Sequence, residues 1–197
     1  MDFNDFSSRL KRTLASLNAR FDDDIAVYFT HTKNENSDKF SFRAGNMDEE
    51  EIINKIFIIL YNLSSLKDNL KNCLKKKNIN PQIVEYEINN SLHLQVLIDL
   101  VNQEKHGYPL NKSNRSQKNP LITHAMQVMS LRTSAEPGSV AFMTFNEDGV
   151  SIQGDNSRMA IRATIFDDKN NPIFGLDELV DTCYEKFELL ARTHNCC

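Results

Sequence analysis

Glycine is scarce in this chain and scattered. The six glycines among 197 residues stand singly, so there is no Gly-rich loop to cradle a phosphate and no Gly-x-Ser-x-Gly turn to expose a nucleophile. Long apolar runs are also missing. None approaches the roughly 18 consecutive apolar residues of a membrane span, and the start, MDFNDFSSRLKR, intersperses acids and polar residues where a signal peptide carries a continuous apolar core. Neither membrane insertion nor export is expected. Cysteine is sparse too. Positions 73, 183, 196 and 197 show no spacing typical of a disulfide framework or zinc knuckle, which predicts free thiols in a reducing cytoplasm. A net charge of −4 excludes a generic nucleic-acid coat.

What remains is a globular composition, 40% hydrophobic, with enough apolar mass for a real core. Phe6, Leu10, Leu14 and Leu17 recur at helical spacing and predict a helix over about 4–20. Ile25, Val27 and Phe29 alternate, as do Phe40 and Phe42 after the polar turn KNENSD, so a β-hairpin over 25–43 is expected. A long helix follows. Asp48 is placed to cap it, Glu49 to Glu51 suit its positive end, and Ile52, Ile56, Ile59, Leu63, Leu66 and Leu70 make its buried face. Asn80 and Pro81 open a short helix to about Asn89, and Ser91 caps the next one.

Beyond Gly107, YPLNKSNRSQKNP reads as a loop. ITHAMQVMSLRTS, VAFMTF, GVSIQG and MAIRATIF are β-rich and separated by turns, giving four strands. LDELVDTCYEKFELLAR then forms an amphipathic helix on Leu176, Leu179, Val180, Cys183, Phe187 and Leu190. The expected fold is α+β, a helical bundle core with an antiparallel sheet in the C-terminal half and a terminal helix. Its parts are a mainly helical 1–107, a loop at 108–119 and strands plus helix over 120–197, packed as one compact unit.

Chemistry concentrates in LQVLIDLVNQEKHG. At 100° per residue Gln95, Asp99, Asn102 and His106 fall within about 60° of one another on an otherwise apolar helix. Such a stripe is costly to bury unless hydrogen-bonded. It is therefore expected to face a partner element or a cleft. Basic residues gather nearby in sequence: five lysines against Asp68 between Lys67 and Lys77, and Lys105, Lys112, Arg115 and Lys118 without an acid up to Lys118. The first group suits a helix C-terminus, and the second a loop.

YNLSSLKDNL and LIDLVNQEKHG together resemble a pattern in uncharacterised bacterial proteins, Tyr-x-Leu-x-x-Leu-Lys-Asp followed by Asp-x-x-Asn-x-x-Lys-His. The helix pair is also similar to HEPN-type bundles of bacterial conflict systems, some of which are metal-independent ribonucleases. Those enzymes place an Arg four to six residues before the His. Here Leu100, Val101 and Asn102 occupy those positions, so the resemblance implies an interaction role rather than the activity. It leaves the β-rich half unaccounted for.

Two uses of the site follow. One is a non-catalytic interaction protein of a conflict or regulatory system, with a protein partner or a second copy of the chain, in which Asp99, Asn102 and His106 stitch the helices to the sheet and Asp68, Gln95, Lys112, Arg115 and Lys118 are binding residues. The alternative is an RNA-directed enzyme in which His106 is general acid or base, Lys105 steadies a phosphate, and Asp99 and Asn102 orient the histidine. A metal could draw on His93, His106, His124, Asp99, His194, Cys196 or Cys197, but His93 and His106 lie on nearly opposite sides of one helix and the tail is terminal. Neither a metal nor a cofactor is expected.

Overall fold

The computed structural model describes residues 6–18, 27–34, 37–44, 49–110, 114–131, 141–146, 149–154 and 157–196, with side chains described for 6–13, 49–110, 114–126 and 161–196. The expected cap Asp48 and Lys112 lie outside the described residues, and Leu14 and Leu17 lie in α1 outside the residues whose side chains are described.

The fold is α+β. In chain order it runs α1 (Phe6–Asn18), β1 (Val27–Asn34), β2 (Ser37–Ala44), α2 (Glu49–Lys76), α3 (Gln82–Asn89), α4 (Leu92–His106), β3 (Leu121–Leu131), β4 (Ala141–Asn146), β5 (Gly149–Gly154), β6 (Ser157–Phe166), β7 (Pro172–Gly175) and α5 (Leu176–Thr193). Contacts group these into two units that interleave along the chain, 1–19 with 53–125 and 162–197, and 20–52 with 126–161. The described part of the 108–119 loop falls within the first unit, bonded to α3 and α4 on one side and to the β6–β7 turn on the other.

The second unit contains two antiparallel hairpins. In β1–β2 Val27 pairs with Ala44 and Asn34 with Ser37; in β4–β5 Ala141 pairs with Gly154 and Asn146 with Gly149. A further sheet has the order β3-β6-β7. Its edge strand β7 pairs antiparallel with β6 and was not anticipated. Four residues opening with a proline carry little strand signal, and proline is tolerated there because β7 is an edge.

The first unit holds the helical core. Along α2 the fully covered positions are Ile56, Leu60, Leu63, Leu66, Leu70 and Leu74, spaced three and four apart as one helix face requires. Leu60 takes the place expected for Ile59, which is half-buried, a rotation of one position within the stripe. Arg9 of α1 donates from Nε to Ser65 Oγ at 2.9 Å, tying α1 to the polar side of α2. In α5, Leu176, Leu179, Val180, Cys183 and Phe187 are buried as expected, with Ala191 rather than Leu190 in the last turn.

Local capping sets the helix ends. The Asn80 carboxamide oxygen accepts from Gln82 N at 3.0 Å at the start of α3, and Ser91 Oγ accepts from Leu94 N at 3.5 Å at the start of α4. Gly107 stops α4 with φ +86°, a conformation open to glycine and costly for other residues.

Helices α2 and α5 end alike. Past α2, Ile79 N bonds Leu74 O and Asn78 N bonds Lys75 O; past α5, Cys196 N bonds Ala191 O and Asn195 N bonds Arg192 O. Each is a Schellman motif. Its left-handed position is filled by asparagine, Asn78 at φ 58° and Asn195 at φ 53°. Cys73 and Cys196, one beside each motif, form a disulfide. The expectation of free thiols is corrected for this pair, since partners 123 residues apart have no spacing that sequence could reveal. Cys183 is a buried free thiol whose pKa burial pushes up, against a smaller lowering by Lys186.

Leu70 is fully covered and Ile58 is 58% exposed on the same helix. Leu70→Ala is expected to cost about 2 to 5 kcal/mol of unfolding free energy, and Ile58→Ala no more than about 0.5 kcal/mol. Urea denaturation of both variants checks this, and equal losses would contradict the assignment of the core face.

Candidate functional site

Asp99, the centre of the polar stripe on α4, is fully buried. Its carboxylate is occupied by the loop that follows the helix. Oδ1 accepts from Arg115 N at 2.8 Å, and Oδ2 accepts from Ser116 N at 2.8 Å and Ser116 Oγ at 2.6 Å. Three donors from two adjacent residues satisfy a buried charge in the manner of a nest, and hydrogen bonds to an ionised acceptor are among the stronger ones. Ser116 Oγ in turn accepts from Lys118 N at 3.3 Å, so one serine closes the turn and docks it.

The same loop is held from outside. Arg115 Nη1 donates to Glu85 Oε2 of α3 at 2.7 Å, and Glu85 Oε1 pairs with Lys71 of α2. Burial acts to raise the Glu85 pKa, but the hydrogen bonds and charges of Lys71 and Arg115 outweigh it and hold the carboxyl at about 2. On the other side Asp168 N donates to Lys118 O at 3.1 Å, and Asn119 Nδ2 donates to Asp168 Oδ2 at 3.1 Å. Asp168 belongs to the β6–β7 turn. That turn is itself organised by Asp167, whose Oδ1 accepts from Asn171 N at 2.8 Å and Lys169 N at 3.0 Å. Gln117 and Asn119 take φ of 56° and 44°, which this set of bonds maintains.

The polar stripe thus separates into parts with different surroundings. Gln95 is half-buried and donates from Nε2 to Asn89 O, closing the α3–α4 junction. Asn102 is half-buried, and His106 is exposed at the end of α4. Seven residues of helix place His106 about 10 Å along the axis from Asp99, beyond hydrogen-bond reach, and both carboxylate oxygens already serve the loop. Asp99 is therefore not the group that orients His106. Among the other expected binding residues, Asp68 is 72% exposed and 3.8 Å from Lys67 Nζ. Arg115 is pinned to Glu85, Lys118 is exposed in the loop, and Lys112 is outside the described residues.

The two motif helices also meet through a lysine and an aromatic ring. Lys105 Nζ lies 5.3 Å from the centroid of the Tyr61 ring, a cation over an aromatic face. Tyr61 also lies 6.4 Å from Phe57, ring to ring. Burial, then the charge of Glu104, raises the Tyr61 pKa.

The histidines and Cys196 with metal-ligand chemistry have other neighbours. His93 stacks on Phe174 at 3.9 Å and faces Glu178 Oε1 at 3.3 Å, His124 meets the edge of Phe166, and Cys196 is spent in the disulfide. Among the described residues no group of three or more His, Cys, Asp or Glu gathers as metal ligands. Nor is any helix among them long and apolar enough to cross a membrane.

The sequence marks Asp99 and Arg115, and Lys71 only as one of a lysine group suited to a helix C-terminus, but not Glu85, Ser116 or Asp168. Nothing local gives the roles of these last four, since each acts on a partner 14 to 49 residues away. Comparison with protein-family models, with curated proteins and with solved structures finds no match to this chain.

Asp99→Ala leaves the Arg115 and Ser116 amides without their acceptor and is expected to lower stability by about 2 to 4 kcal/mol, read as a shifted urea midpoint. Full retention of that midpoint would contradict the anchor role. A second prediction concerns pH. The Glu85 carboxyl titrates near 4.5 when unperturbed and at about 2 in the fold, so its stabilising contribution is complete above 4.5, declines between 4.5 and 2, and is gone below 2. Glu85→Gln should flatten stability against pH in that window, and an unchanged acid limb would count against the ion pairs.

Proposed function

We propose that this chain is a non-catalytic interaction protein of a bacterial or phage conflict or regulatory system, working in the cytoplasm and binding a protein partner, with a second copy of itself as one form of that partner. The observation that carries this reading is the commitment of Asp99. The one fully buried acid of the polar stripe uses both oxygens to fix a loop, and that loop is fixed again by Glu85 and Asp168. A loop held on a rigid scaffold presents its exposed residues in a defined arrangement, and here those residues are Gln117 and Lys118. Preorganisation of this kind lowers the entropic cost of binding. The likeness of the helix pair to HEPN-type bundles agrees with an interaction role.

The contact of Lys105 with Tyr61 beside the exposed His106 favours a second reading, an RNA-directed, metal-independent ribonuclease with His106 as general acid or base and Lys105 on the phosphate. In that reading Asn102, on the same helix face, would be the residue near enough to steady the imidazole.

Affinity capture with the tagged wild type, a Gln117→Ala/Lys118→Glu variant and His106→Ala separates the two. A stoichiometric protein partner retained by His106→Ala and lost by the loop variant, with all three equally folded by circular dichroism, is expected. A strictly monomeric chain without a partner would contradict the interaction reading. RNA bound or cleaved by the wild type and spared by His106→Ala would establish the second one.

A further inference from the structure

The disulfide joins two helix ends that are otherwise separate in the chain. Cys73 lies in the last turn of α2, five residues before Asn78, and is half-buried; Cys196 follows Asn195 past α5 and is buried. Ala191 in the last turn of α5 is fully buried; past it, apart from this link, the end is held by local bonds, among them His194 N to Leu190 O, Asn195 N to Arg192 O and Cys196 N to Ala191 O. Its outward residues Leu189, Arg192, Thr193 and Asn195 are exposed. Terminal turns of this kind open at small free-energy cost when nothing else secures them. Up to Ala191, α5 needs no staple, because Leu176, Leu179, Cys183, Phe187 and Ala191 are in the core.

We propose that Cys73–Cys196 is a thiol-responsive latch, closed by oxidation and opened by reduction, that controls order past Ala191 at the end of α5 while leaving the rest of the helical unit folded. The proposal rests on the cytoplasmic setting put forward above, where a protein disulfide is characteristically transient or redox-sensing. The reductant is a low-molecular-weight thiol or a protein dithiol. Its thiolate attacks the sulfur of Cys73, the less buried of the two residues, the S–S bond breaks with its electron pair passing to Cys196, and Cys196 takes a proton. A second reductant thiolate then displaces Cys73, which is protonated in turn. Two electrons and two protons enter the chain, and two reductant thiols leave as their disulfide. Lys75, Lys76 and Lys77 are exposed just beyond Cys73 and favour approach of an anionic thiol. Cys183 takes no part, being buried and held as the thiol.

The test is to equilibrate the purified full chain in glutathione buffers ranging from the poise of a reducing cytoplasm to that of an oxidising compartment. Acid-quenched alkylation counts thiols by mass, and hydrogen exchange is followed in the same samples. The expected result is a pair reduced in the cytoplasm-like buffer and oxidised in the more oxidising ones, with the amides of Arg192 to Cys196 exchanging about tenfold or more faster when reduced and those of α4 unchanged. Cys196→Ser should show the fast exchange in every buffer. Persistence of the disulfide at cytoplasmic poise, reduction without a change at the end of α5, or unfolding of the whole unit on reduction would each overturn the latch. Fractionation of tagged chain in its host reports the compartment independently, so a failed setting is distinguishable from a failed latch.

Discussion

Burying one ionised carboxylate is the constraint on which the arrangement of the helical unit depends. Asp99 sits in α4 among Leu97, Ile98, Leu100 and Val101, all buried, where an unpaired charge would cost several kcal/mol. The helix cannot supply donors to it, since its own amides are bonded along the axis. Donors must come from elsewhere in the chain, and the segment after Gly107 provides three of them at Arg115 and Ser116. That requirement fixes the return path of the loop and delivers Arg115 to Glu85. It also brings Lys118 and Asn119 against the β6–β7 turn. A polar group that looks like chemistry in a helical wheel is here a means of specifying where a connection goes.

The outer layer of the same arrangement is electrostatic. Glu85 joins α2, α3 and the loop through Lys71 and Arg115, each partly exposed, so the triad is a weaker tie than the Asp99 nest. The β6–β7 turn adds a third support, in which Asp167 organises the backbone that Asp168 then offers to the loop. Helix, loop and turn therefore depend on one another, and a surface presented by residues 114–119 inherits the rigidity of all three. This is the physical basis for reading the loop as a recognition element and the stripe as its foundation.

How much of this was legible in the sequence depends on distance along the chain. The long helix, the α5 face, the Ser91 cap and the Gly107 stop follow from periodicity and local hydrogen bonding, and the structure shows them. Asp99 was legible as an anomaly, because an acid ringed by leucine, valine and isoleucine must be satisfied somehow. The identity of its partners was not, since a helical wheel has no information about a loop 16 residues on. β7 was hidden for the same reason: Pro172 to Gly175 becomes a strand only because β6 pairs with it. The disulfide is the extreme case, with helix ends brought together by packing and no regularity between Cys73 and Cys196. His106 shows the reverse error of a wheel, which records angle and ignores the rise that carries it away from Asp99.

The most direct measurement is amide hydrogen exchange at Arg115 and Ser116 in the wild type, Asp99→Asn and His106→Ala. If Asp99 is the anchor of a presented loop, both amides are protected in the wild type and in His106→Ala, and lose that protection in Asp99→Asn while the α2 core keeps its own. Protection that survives Asp99→Asn, or that is lost in His106→Ala, would contradict the anchor and return Asp99 to partnership with the histidine.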